Sequence, residues 1–162
     1  HTFDGFVESD TERDILKLVI LNRYQTAPPA ITFIKGTGLK LGAIAQSISH
    51  DSHNIIAIGV TDFELMQAIN VVIKAKGGIA VSCMDEVTLL SLPIAGLLRD
   101  ESLEVTSRRY EEIEEKIKWL KTPMDSLQMT LSFMGLLAIP SLKLSNKGLF
   151  NSETFQFTSL FV

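Results

Sequence analysis

Apolar positions along this chain fall into two rhythms, and the change from one to the other sets out its elements. Ile15, Leu16, Leu18, Val19, Ile20 and Leu21 make a compact, partly β-branched run over residues 14–22. Its length and branching predict a buried strand, although so short a run has no period of its own to exclude a helix. Ala27-Pro28-Pro29 imposes an extended connection, because a residue before proline is pushed out of the helical region. Further strands are expected over 31–34, 42–49 and 54–60, with a turn at Gly36-Thr37-Gly38-Leu39-Lys40. Ile55, Ile56, Ala57, Ile58 and Val60 are apolar on both sides of the backbone, so the last of these should be a central strand covered on each face.

The rhythm changes at Thr61. Thr61 and Glu64 have the spacing of an N-cap and its N3 partner, and Val60 and Leu65 that of a hydrophobic staple. Leu65, Ala68, Ile69, Val72 and Ile73 then recur at threes and fours on one helical face, and Gly77-Gly78 is positioned to cap the end. A hairpin is expected over 79–84 and 87–92, turning at Asp85-Glu86. A second helix is expected over 101–121, where Leu103, Thr106, Tyr110, Ile113, Ile117 and Leu120 form a stripe that should dock on this domain's own sheet. Glu112 with Lys116 and Glu114 with Lys118 are spaced as i,i+4 ion pairs along it. Pro123 stops the helix, a shorter apolar element over 124–139 ends at Pro140, and the tail alternates through Leu142, Leu144, Phe155 and Phe157 to Leu160-Phe161-Val162. Such a tail should pair as a last strand or pack on another part of the protein. Runs of strands with helices between them indicate an α+β fold, with mostly antiparallel layered sheet and two or three flanking helices; a doubly wound α/β fold is the alternative.

Composition narrows the class. The chain has 162 residues, 21% of them charged, a net charge of −4 and one cysteine. That suits one domain, or two small lobes sharing a core, and a chain of this size buries roughly two-thirds of its unfolded surface. Residues 1–13 read as an extension or linker and 14–162 as the domain. Cys83 has no partner for an internal disulfide, which fits a reducing, cytoplasmic setting. The acidic balance disfavours nucleic acid as the main partner. The most apolar window, residues 129–140, is interrupted by Thr130, Ser132 and Gly135 and falls short of the ~20 residues a spanning helix needs, so no membrane partner is expected. The numbering opens on His1 rather than Met, with neither a basic start nor a long apolar run, as expected of a sequence that begins inside a longer chain or after processing.

Chemistry concentrates in one place. His50-Asp51-Ser52-His53 lies between two apolar strands and holds two of the three histidines. In an extended segment Asp51 and His53 share one face and Ser52 points away, which rules against a triad built from sequence neighbours. In a helical turn His50 and His53 come together and offer two nitrogens, leaving at least one metal ligand still to be found. A tight polar turn with satisfied side chains explains the same residues. Other motifs are weaker. Gly36-Thr37-Gly38 lacks the third glycine of a dinucleotide fingerprint, since Leu41 stands there. One cysteine excludes the Pro-Cys-x-x-Cys zinc deaminase signature. The five methionines read as core filler, Cys83 as an inert buried thiol and Trp119 as a packing residue.

Taken in order, several short runs point to a family. Phe33-Ile34-Lys35-Gly36, Gly42-Ala43-Ile44-Ala45, Ser49-His50-Asp51-Ser52-His53-Asn54-Ile55, Leu92-Pro93-Ile94-Ala95-Gly96-Leu97, Met129-Thr130-Leu131-Ser132-Phe133 and the closing Leu160-Phe161-Val162 resemble the C-terminal domain of bacterial and archaeal adenine deaminases of the amidohydrolase type. The resemblance implies a full-length enzyme that hydrolyses adenine to hypoxanthine and ammonia with a metal-activated water in an N-terminal (β/α)8 barrel. It implies manganese, iron or zinc in that barrel, no cofactor bound by this chain itself, a homo-oligomer and a cytoplasmic location. The barrel's His-x-His motif has no counterpart here, so no catalytic or metal-binding residue transfers. His50, Asp51, Ser52, His53 and Asn54 transfer as a segment facing the barrel or its substrate entrance. The chain alone is then expected to be inactive. The alternative is a free-standing interaction module using residues 103–120 or 155–162 as its face.

Overall fold

The computed structural model describes residues 2–3 and 6–161. A short hairpin, β1 (Thr2–Phe3) and β2 (Phe6–Val7), precedes the main elements in chain order: β3 (Ile15–Leu21), β4 (Ala30–Lys35), β5 (Ala43–Gln46), β6 (Ile55–Gly59), α1 (Asp62–Lys74), β7 (Gly78–Cys83), β8 (Glu86–Ser91), α2 (Leu103–Trp119) and α3 (Leu127–Phe133). Three short strands close the chain: β9 (Leu142–Ser145), β10 (Gly148–Asn151) and β11 (Gln156–Phe157). The six-stranded sheet runs β4-β3-β6-β5-β7-β8 and every neighbouring pair is antiparallel. The fold is therefore α+β, and the doubly wound alternative, which needs parallel neighbours, is set aside.

β6 is the buried central strand its sequence predicts, with all five residues buried between β3 and β5. Its two faces meet different partners. Leu18, Ile20, Ile44, Ile56, Ile58 and Val81 pack on one side with Ile113, Ile117 and Leu120 of α2 and its end, and with Leu127 and Leu131 of α3. Ala43, Ala45, Ala57 and Ala80 on the other side form a low surface against which Leu65, Ala68 and Val72 of α1 seat closely. Each large side chain buried this way contributes roughly 1.5–3 kcal/mol.

Several local expectations are corrected. Thr61 does cap α1, accepting from Glu64 N at 3.2 Å, with Val60 packed against the α2-side core and Leu65 in the α1-side core. The left-handed residue after α1 is Lys76 at φ 62, and Gly77 N reaches Val72 O at 3.0 Å to complete a Schellman cap. Gly77 is needed for a different reason, a close backbone approach. The β7–β8 turn is Met84-Asp85, both at positive φ, and Glu86 already pairs with Cys83. A type I′ turn is set by strand twist, and here that twist overrides the weak preference of Met for the position. Lys116 leaves Glu112 to pair with Glu86 at 2.9 Å and to lie over Trp119, while Glu114 meets Gln128. Met66, Met84 and Met129 are exposed rather than core filler. The tail pairs as β11, yet Phe155, Phe157 and Phe161 stay exposed, the first two edge-on to Phe150. A two-residue strand lacks the area to cover them.

Register brings the unusual segments together. Leu21 at the end of β3 faces Ile55 at the start of β6, and Gln46 at the end of β5 faces Ile79 near the start of β7. The segments 22–24, 47–54 and 92–97 therefore emerge at one end of the sheet. Residues 128–135 come to the same end, since His50 N donates to Ser132 O at 3.1 Å.

Candidate functional site

Residues 50–54 form the tip of that sheet end. His53 N donates to Ser49 O at 2.6 Å, closing a tight turn that is neither extended nor helical, with His53 at φ 49, and leaving the His50 and His53 rings with centroids 6.3 Å apart. The extended arrangement, with Asp51 and His53 on one face, is therefore not the one adopted. The His50 ring stacks on Phe133 at 4.8 Å and 7°, and its Nδ1 lies 3.2 Å from Ser132 Oγ. The Ser52 carbonyl accepts from Tyr24 Oη at 2.9 Å. Buried Asn54 accepts from Arg23 N at 3.2 Å and donates to Ser52 Oγ at 3.2 Å and Asn146 Oδ1 at 3.4 Å. Gly135 gives the turn room, because a Cβ there would stand 2.6 Å from Ser49 Oγ.

A second layer holds these braces. Arg23 Nη2 donates to Ala95 O at 2.7 Å and to Tyr24 Oη at 3.2 Å. Ser47 Oγ donates to Gly96 O at 2.6 Å and accepts from Gly78 N at 2.9 Å, tying the 92–97 loop to the start of β7. The turn is thus fixed from four segments distant in sequence, yet not saturated. Ser49 Oγ and His53 Nδ1 are buried with no hydrogen-bond partner among the described residues, and Asp51 and Ser52 are exposed along a cleft of about 350 Å³ that Asn146, Phe150 and Phe155 also line.

His50 and His53 do come together, but among the described residues no three His, Cys, Asp or Glu side chains assemble to hold a metal ion. Sequence reasoning missed Arg23, Tyr24 and Asn146 as parts of the site. The available signal was their position just beyond strand ends; which strand ends meet is set by register, which the sequence pattern does not carry. Ser132 and Phe133 stood out in the sequence only within the apolar window 129–140 and the family-like run 129–133.

Cys83 lies away from this site, buried at the far end of β7. Burial, with the Glu64 carboxylate adding to it, pushes its thiol above the ordinary range. The folded state then keeps the proton where the unfolded chain ionises. The stability this group contributes is full below the ordinary thiol pKa and is lost as pH rises through the raised one. Urea unfolding is expected to show a steeper alkaline loss of stability in the parent protein than in Cys83→Val; equal slopes would refute the assignment.

Comparison with known proteins gives a consistent set of relatives. A family model described as the adenine deaminase C-terminal domain matches residues 1–156. A protein of Parabacteroides distasonis named adenine deaminase is 95% identical over 100% of this chain and 30% of its own length. Adenine deaminases of Methanosarcina mazei and Salinibacter ruber are 49% and 45% identical over 98% and 99% of this chain, and over 28% and 30% of their own lengths. The chain spans less than a third of the curated relatives it matches.

Proposed function

This chain belongs to the adenine deaminase C-terminal domain family, and from that premise we propose that it closes over the catalytic part of an enzyme that hydrolyses adenine to hypoxanthine and ammonia. In this reading the metal, manganese, iron or zinc, sits in an N-terminal (β/α)8 barrel of the full-length, cytoplasmic, homo-oligomeric protein and supplies an activated water. The described residues of this chain do not fit a metal site, so no step on this chain runs through one.

One observation carries the reading. The 50–54 turn is braced by Arg23, Tyr24, Ser132 and Asn146 and presents Asp51 and Ser52 exposed along a cleft. Here the exposed Asp51 carboxylate and Ser52 hydroxyl present hydrogen-bonding capacity at the end of the sheet, suited to a polar surface outside the chain. Covering a substrate entrance would also exclude water and strengthen the electrostatic contacts inside.

Ammonia release from adenine, measured with added manganese, iron or zinc, is expected to be undetectable for this chain alone. It should be present for the full-length protein. Reproducible metal-dependent release by the chain alone overturns the reading. The exposed Phe155, Phe157 and Phe161, with Leu103 at the free end of α2, favour the second reading of an interaction module. That reading predicts full adenine hydrolysis by the remainder of the protein after this domain is deleted.

A further inference from the structure

Ser132 has one hydroxyl hydrogen, and the geometry decides where it goes. Ser132 Oγ lies 2.7 Å from Met129 O, one turn back in α3. A carbonyl has no hydrogen to give, so two oxygens this close need the serine proton between them. Toward His50 Nδ1, 3.2 Å away, Ser132 Oγ is then left only a lone pair. The hydrogen in that contact must come from the imidazole.

We propose that Ser132 fixes the neutral His50 ring in the Nδ1–H form and thereby makes Nε2 of that neutral ring a hydrogen-bond acceptor for an N–H of the ligand, such as the amino or ring N–H of a purine. The ligand class rests on the proposed role in adenine hydrolysis; the tautomer does not. Ring orientation is fixed by the same short segment. The His50 ring lies on Phe133 at 4.8 Å and 7°, and its backbone N–H is bound to Ser132 O at 3.1 Å. No described residue hydrogen-bonds Nε2. A free imidazole can offer a donor or an acceptor at Nε2; here the choice is made before a ligand arrives, which removes part of the ordering that binding otherwise requires. Ser132 is thus a positioning residue that acts through His50.

The test uses the full-length protein with 15N-labelled histidine, in parent form and as Ser132→Ala, Ser132→Thr and His50→Gln, the last identifying the His50 signals. At a pH above the imidazole range, the parent His50 is expected to show a protonated Nδ1 and an unprotonated Nε2. Ser132→Ala should return the ring to a mixture of forms and raise the KM for adenine about tenfold, the scale of one lost hydrogen bond, with kcat changed less. Ser132→Thr, which keeps the hydroxyl, should restore both. An Nε2–H ring in the parent protein overturns the proposal and leaves the domain's role in adenine hydrolysis standing. An Nδ1–H ring with KM unmoved in Ser132→Ala overturns the recognition role, and with it the location of His50 at the substrate. The parent spectrum alone decides the tautomer should a variant fail to fold.

Discussion

In the full-length protein, His53→Ala and Asp51→Ala are each expected to lower kcat/KM for adenine by about 10²-fold, the scale at which a misplaced contact near the chemistry is felt. Neither should do so through unfolding. Asp51 is exposed and makes no hydrogen bond or ion pair with a described residue, so its truncation falls within the ~0.5 kcal/mol typical of free surface positions. His53 is half-buried with Nδ1 unpartnered, and alanine removes that unsatisfied atom together with some packing, a net cost of about 1 kcal/mol. Steady-state kinetics beside thermal melts separate the two effects. Parent-like kinetics in both variants would reduce the turn to a polar loop and remove the main support for a substrate-facing role.

Gly77→Ala is expected to give the largest loss of stability. Gly77 has φ 138, and a Cβ there would stand 2.3 Å from Gly96 Cα and 2.9 Å from Leu92 O. Both obstacles are backbone, and the 92–97 loop is held by Ser47 through Gly96 O and Gly78 N. Alanine must therefore lift that loop from the sheet end, loosening Ala95 O from Arg23 as it goes. Backbone strain and overlap together should cost about 3 kcal/mol, a fall in Tm of about 6–12 °C for a chain of this size. Gly36→Ala is the control, since Gly36 also has positive φ, 98, but nothing within 4 Å of its Cβ position. It should lose about 1 kcal/mol from the backbone alone. Equal losses in the two variants would mean that the close approach of Gly77 to Gly96 is not what makes glycine necessary.

Much of the architecture was legible because burial leaves a period in the sequence. The all-apolar run 55–58 announced a central strand, and the threes and fours of Leu65, Ala68 and Val72 announced the face of α1. Local rules failed where a larger geometry outvoted them. Strand twist moved the hairpin turn onto Met84-Asp85, and a carboxylate on a neighbouring strand took Lys116 from its own helix. Ile73, on the predicted apolar stripe, is exposed because α1 meets only the narrow alanine face of the sheet.

The candidate site divides in the same way. His50, Asp51, Ser52, His53 and Asn54 were found from the sequence because four polar residues in a row between apolar strands break its pattern, and because the ordered runs resemble one family. The conformation of that turn, the bracing by Arg23, Tyr24 and Asn146, and the contact of His50 with Ser132 came only from tertiary structure. A sequence determines which residues are polar and which element each belongs to, since those follow from local periodicity. Which strand ends share an edge of the sheet depends on pairing and register between distant segments, and the direction of each hydrogen bond depends on distances that exist only once those segments have met.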